Sequence, residues 1–217
     1  MKRLTWVLSA ICLLALAGPA SAGIVFDNYP INGTIDAWTI NFGYWVSDSF
    51  TIASPALVTG VNFGSWNFPG DDISAVDWAI GTGPNDSTFG SGSGAAVSDT
   101  LQTSLSPNPD GANIYSNSIS FAGVLLGPGT YYLTLQNAVI ASGDPVFWDE
   151  NDGAGVDAWE KLDGELSGNC PGPPGSGTCA ESFQIVSNVG TPEPGSLMLF
   201  GSGTLLLAGA LRRKARR

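Results

Sequence analysis

The sequence predicts an all-β fold: an antiparallel β-sandwich, jelly-roll-like, with a separate C-terminal transmembrane helix. Three observations carry this expectation. Apolar residues recur at every second position in short runs, the spacing that puts them on one face of a strand. Clusters of Gly, Pro, Asn and Asp punctuate the runs, as in "NFPGDD", "GTGPND", "SPNPDG", "LGPGT" and "ASGDP". No stretch of the middle offers a long apolar stripe of helical period, which disfavours any α/β arrangement, and the strand spacing suits a sandwich more than a barrel.

Taken in chain order, "GIVFDN" (23–28) reads as a strand, and in "DAWTINFG" (36–43) Trp38, Ile40 and Phe42 fall on one face. "VSDSFTI" places Val46, Phe50 and Ile52 together, and "LVTGVNF" does the same for Leu57, Val61 and Phe63. "AVDWAIG" aligns Val76, Trp78 and Ile80. "GSGSGAAVSD" (90–99) reads as a flexible loop because five small residues open it. "LQTSL" (101–105), with Leu101 and Leu105, is a weak strand; "IYSNSISF" aligns Tyr115, Ile119 and Phe121. "TYYLTLQN" aligns Tyr131, Leu133 and Leu135, "PVFW" (145–148) adds a short strand, and "SFQIV" pairs Phe183 with Ile185. About ten strands result. Residues 151–179 read as a long, irregular, acidic insertion.

The N-terminus has another design. Lys2 and Arg3 precede an apolar stretch from Leu4 to Ala17, and Ala20-Ser21-Ala22 supplies the small-x-small pattern of signal-peptidase cleavage. Residues 1–22 are therefore expected to be a signal peptide, leaving 23–190 as one exported domain ahead of a tail at 191–217. In that domain eighteen acidic residues face the single Lys161, a net charge of −17. Such a surface repels phosphate backbones, so nucleic acid is excluded as a partner, whereas divalent cations or basic partners are attracted. Solubility alone is the simpler use of the acids. Cys170 and Cys179 bracket "PGPPGSGT"; in an oxidising compartment a disulfide between them would stabilise by about 2–3 kcal/mol in the loop-entropy picture. Two thiolates without histidine make a poor zinc site.

Catalytic residue types are scarce. The chain has no histidine, which removes Ser-His-Asp and Cys-His nucleophile systems and imidazole metal sites. Arginine occurs only at the two ends, so the middle has no guanidinium to hold a phosphate. Carboxylates remain. "WDENDG" places Trp148 beside Asp149, Glu150, Asn151 and Asp152, enough residue types for a glycosidase, but neighbours on a strand point to opposite faces and do not make an acid and base pair. Asp149, Asn151 and Asp152 could instead supply hard oxygen ligands to calcium, although the glycine arrives one residue too early for an EF-hand loop. Asp71 and Asp72, after Pro69-Gly70, form a second oxygen-rich turn. Trp45, Trp66, Trp148 and Trp159 fall near strand ends or in loops, where an indole can stack on a sugar ring or simply pack beneath a loop. No enzyme and no resident cofactor are expected, with calcium the one candidate; Trp148, Asp149, Asn151, Asp152 and Trp159 are the candidate contacts to calcium or sugar.

The tail "TPEPGSLMLFGSGTLLLAGALRRKARR" combines Pro192-Glu193-Pro194, fifteen apolar or small residues from Leu197 to Leu211, and five cations. As a helix that run spans about 22 Å against about 30 Å of hydrocarbon, short for a lasting anchor. The cations hold its end on the cytoplasmic side, and the two prolines keep the triplet extended. This segment closely resembles the PEP-CTERM sorting signal of Gram-negative bacteria, whose members are handled by an exosortase. The resemblance implies that Pro192, Glu193 and Pro194 form the recognition box, that exosortase and signal peptidase are partners in processing, and that the inner membrane holds the chain transiently before release to the envelope, surface or exterior. The middle also resembles exported domains found ahead of this signal. A non-catalytic structural or adhesive role associated with exopolysaccharide is the expected function; the alternatives are a calcium-assisted carbohydrate-binding module and a glycoside hydrolase.

Overall fold

The computed structural model describes residues 23–34, 36–151, 158–162, 165–168 and 180–187, with the backbone alone at 160–162 and 165–168. Residues 24–188 form one compact unit. Among the described residues are thirteen strands and no helix: β1 (Gly23–Asn28), β2 (Ala37–Thr39), β3 (Trp45–Ile52), β4 (Ala56–Asn67), β5 (Ile73–Gly81), β6 (Gly90–Leu101), β7 (Asn113–Leu126), β8 (Gly129–Ile140), β9 (Phe147–Asn151), β10 (Trp159–Leu162), β11 (Glu165–Gly168), β12 (Ala180–Glu181) and β13 (Phe183–Ser187). The expected transmembrane helix lies outside these residues.

The strands form one antiparallel sheet in the order β1-β13-β4-β7-β6-β5-β8-β3-β10-β11, nearly closed into a barrel, while β9 bonds to β4 and carries β2 and β12. Closure depends on β6. Its first half, Gly90 to Ala96, pairs with β5 and its second half, Val97 to Leu101, with β7. One strand thus joins the two layers that the alternating pattern predicts, and the layers face each other across a common core. Phe50 on β3 meets Phe183 on β13 edge-on at 6.3 Å between ring centres, and Trp78 on β5 stacks on Phe121 of β7 at 3.8 Å. Such pairs add about 0.5–1.5 kcal/mol beyond the area that they bury.

The strongest alternations hold. Val76, Trp78 and Ile80, then Tyr131, Leu133 and Leu135, then Val46, Phe50 and Ile52 are all buried. Five expectations change. Phe42 does not continue the face of Trp38 and Ile40: the chain turns at 41–44, with Tyr44 N–H donating to Asn41 O, and Phe42 adopts φ +57° and is 62 % exposed. Leu57 does not share the buried face of Val61 and Phe63, because a bulge between Val58 and Gly60 shifts the register and reverses which side is inward. "LQTSL" is no strand beyond Leu101; Leu105 sits in a turn. "GSGSGAAVSD" is not a loop but most of β6. Its glycines admit the indole of Trp78, since a Cβ on Gly92 would lie 2.7 Å from Trp78 Nε1. Part of the acidic insertion is also regular, as β10 pairs with both β11 and β3.

Candidate functional site

The short strand expected at 145–148 is β9, which runs from Phe147 through Asn151 and so takes the acidic residues after Trp148 into the sheet. It runs between β2 and β12 and also bonds to β4. Neighbouring strands therefore cover it on several sides, and Trp148, Asp149, Glu150 and Asn151 are each at most 1 % exposed. Trp148 donates its indole N–H to Ser182 O at 3.1 Å and packs edge-on against Phe183 at 5.6 Å and Phe63 at 6.3 Å. No face of this ring is open to a sugar.

Asp149 and Asn151 alternate along β9 and so share a face, and both hold the segment between β1 and β2. Asp149 Oδ1 accepts the Trp66 indole N–H at 2.5 Å and the Gly33 N–H at 2.9 Å, while Oδ2 accepts the Asn32 N–H at 3.2 Å. Gly33 stands at φ +64°, a conformation that turns its N–H towards the carboxylate at little cost only for a residue without Cβ. Burial raises the Asp149 pKa, and donors such as the Trp66 indole offset this only in part. Asn151 Nδ2 donates to Asn28 O at 2.5 Å, and Asn28 Nδ2 in turn donates to Glu181 O at 2.6 Å. These proposed calcium ligands are engaged with the protein's own backbone.

Two acids that pattern reasoning left aside belong to the same region. Glu181 on β12 stands directly opposite Glu150 on β9, and its N–H donates to Asp48 Oδ2 at 2.7 Å. Asp48, Glu150 and Glu181 are all at most 1 % exposed. Asp48 could have been found: it falls in the inward phase of Val46, Phe50 and Ile52, where an acid is out of keeping with an apolar face. Glu181 carried no such signal, because a two-residue strand has no period to read.

Trp45, the first residue of β3, and Trp66, the last but one of β4, stand at strand ends as expected, yet each is only 7 % exposed. Trp159 is half-buried on β10, and its Nε1 has no hydrogen-bond partner among the described residues. Asp152, the Cys170–Cys179 pair, the cleavage residues Ala20 and Ala22, and the Pro192-Glu193-Pro194 box lie outside the described residues. Among the described residues, no three side chains of the Asp, Glu, His and Cys types gather as a metal set.

None of the curated proteins matches the chain. The family model of the PEP-CTERM protein-sorting motif matches residues 191–217, the segment that follows the β-sheet unit. The chain carries a PEP-CTERM sorting motif and is accordingly an exported protein that passes through an exosortase to the cell surface.

Proposed function

We propose that the domain delivered by this motif acts without catalysis, as a structural or adhesive protein of the surface or extracellular matrix in association with exopolysaccharide. The observation that supports this most directly is the commitment of Asp149. This carboxylate, in the stretch that offers the residue types of a glycosidase, is wholly buried and receives three donors from the loop after β1 and from β4. A general acid or base must reach a substrate proton at about 2.6–3.2 Å, directly or through one water, and a group spent on internal donors is poorly disposed to do so. The lack of histidine throughout the chain points the same way.

The reading is tested with exopolysaccharide recovered from the producing cells. The protein is expected to sediment with the polymer and to liberate no reducing ends over a long incubation. Reducing ends would replace this reading with a glycosidase, and a protein left wholly in the supernatant would remove the polysaccharide association.

A further inference from the structure

One face of β7 carries Asn113, Tyr115 and Asn117 in alternation, and Tyr115 and Asn117 are 6 % and 1 % exposed. Asp99 of β6 is the register partner of Asn117. Directly opposed residues of an antiparallel pair share a face, with Cβ atoms about 4.5–5.5 Å apart, so the Asp99 carboxylate and the Asn117 amide are side by side. Asp72, in the turn that leads into β5, reaches the same place. Beyond the effect of burial, its negative charge is near enough to raise the pKa of both Asp99 and Tyr115.

The Asn117 amide gives the cluster a direction. Its Nδ2 donates to Ser65 Oγ at 2.9 Å and to the Phe63 carbonyl at 3.3 Å, both on β4. Only the nitrogen of the amide can face a carbonyl oxygen, which fixes its orientation. Because β7 lies between β4 and β6, an amide with its nitrogen turned to β4 directs its oxygen towards β6 and Asp99. That Oδ1 is buried and has no hydrogen-bond partner among the described residues. A buried acceptor without a donor is costly and calls for a physical reason.

Two carboxylates and an amide oxygen together are acceptors only, and like charges at this range oppose each other. Burial and the neighbouring Asp72 both raise the pKa of Asp99. Protein cations do not resolve the conflict, since the one basic residue of 23–190, Lys161, belongs to β10, which pairs with β3 and β11. Asp72 is exposed and Asp99 half-buried, so the cluster is open to solvent on one side. We propose that Asp72, Asp99 and the Asn117 amide oxygen form a binding site for a hard divalent cation, calcium first, with Tyr115 beside it and water completing the shell. Oxygen donors of this kind are what calcium selects, whereas magnesium demands a stricter octahedron. The site is separate from the Asp149 stretch and independent of the polysaccharide reading.

The test uses the exported protein, stripped with a chelator and titrated with calcium chloride while its melting temperature is followed. Calcium is expected to raise that temperature with a half-effect at roughly 10⁻⁴–10⁻³ M, the range of extracellular calcium modules. Asp72→Asn and Asp99→Asn should each move the half-effect upward by about tenfold or more, and Asn117→Asp should move it down, because ligand charge sets affinity. In chelator both Asn variants should melt no lower than the unaltered protein, since they relieve a like-charge contact; their failure to respond is then a loss of binding and not of fold. A flat titration of the unaltered protein would overturn the proposal and leave a proton shared between the two carboxyl groups. A response that Asp72→Asn and Asp99→Asn leave intact would overturn it equally, because the ion would then sit on other acids.

Discussion

The indole N–H of Trp66 donates to Oδ1 of Asp149 at 2.5 Å inside the protein, tying the central strand β4 to β9. The same carboxylate takes the backbone N–H groups of Asn32 and Gly33, so one side chain unites three segments far apart in sequence. Asp149→Ala removes every one of these acceptors and strands a buried indole N–H. Each orphaned buried donor costs about 1–3 kcal/mol, and the expected loss is about 3 kcal/mol or more. Urea unfolding should show a lower midpoint at an unchanged slope. A loss below about 1 kcal/mol would mean that water replaces the carboxylate and that Asp149 is no structural pin.

Trp148 extends the argument to spectroscopy. Its ring is fully buried and its N–H is held by Ser182 O. In a variant that retains Trp148 as its sole tryptophan, emission should be blue-shifted and indifferent both to acrylamide and to added oligosaccharide. Quenching by sugar would show that β9 opens in solution and would return this tryptophan to the list of binding residues.

Asp86 makes a local prediction about pH. Its carboxylate accepts the Thr88 and Thr82 hydroxyls at 2.7 and 2.9 Å and the backbone N–H of the same two residues at 3.0 and 2.8 Å. These donors, the Thr88 hydroxyl foremost, lower its pKa from the ordinary 3.8 to about 2. A depressed carboxyl pKa stabilises the folded turn above the unfolded value, and this contribution disappears as pH falls from about 4 through 2. Amide exchange at Thr82 and Thr88 should therefore quicken across that interval and already be fast at neutral pH in Asp86→Ala. Exchange rates that stay level across it would show that the turn does not depend on the charge.

How far the sequence could be read depended on where period-2 alternation was the only force acting. Val76-Trp78-Ile80 and Tyr131-Leu133-Leu135 lie on strands with partners on both sides, so their pattern maps directly onto the core. Leu57 misled because a bulge at 58–60 reverses the inward side without any local signature beyond Gly60. Phe42 misled because its turn is made by backbone dihedrals, not by polarity. The Asp149 stretch was hardest. Acids and amides in succession imply solvent on average, yet here they are drawn inward by partners far away in sequence, from Ser182, 33 residues beyond Asp149, to Asn28, 123 residues before Asn151. Only tertiary contacts supply those partners.

Gly92 offers the sharpest check on β6, which its composition alone describes as a loop. A Cβ there would lie 2.7 Å from Trp78 Nε1 and 3.1 Å from Trp78 Cε2. The indole cannot retreat, because Phe121 is stacked on it at 3.8 Å. Gly92→Ala therefore overpacks the joint where β6 meets β5, at an expected cost of about 1–3 kcal/mol, with a changed near-ultraviolet dichroism band from Trp78. Gly83 lies in open space, and Gly83→Ala, a surface change, should stay within about 0.5 kcal/mol. If the two substitutions cost the same, Trp78 does not press on Gly92 and the small residues of β6 have some other cause.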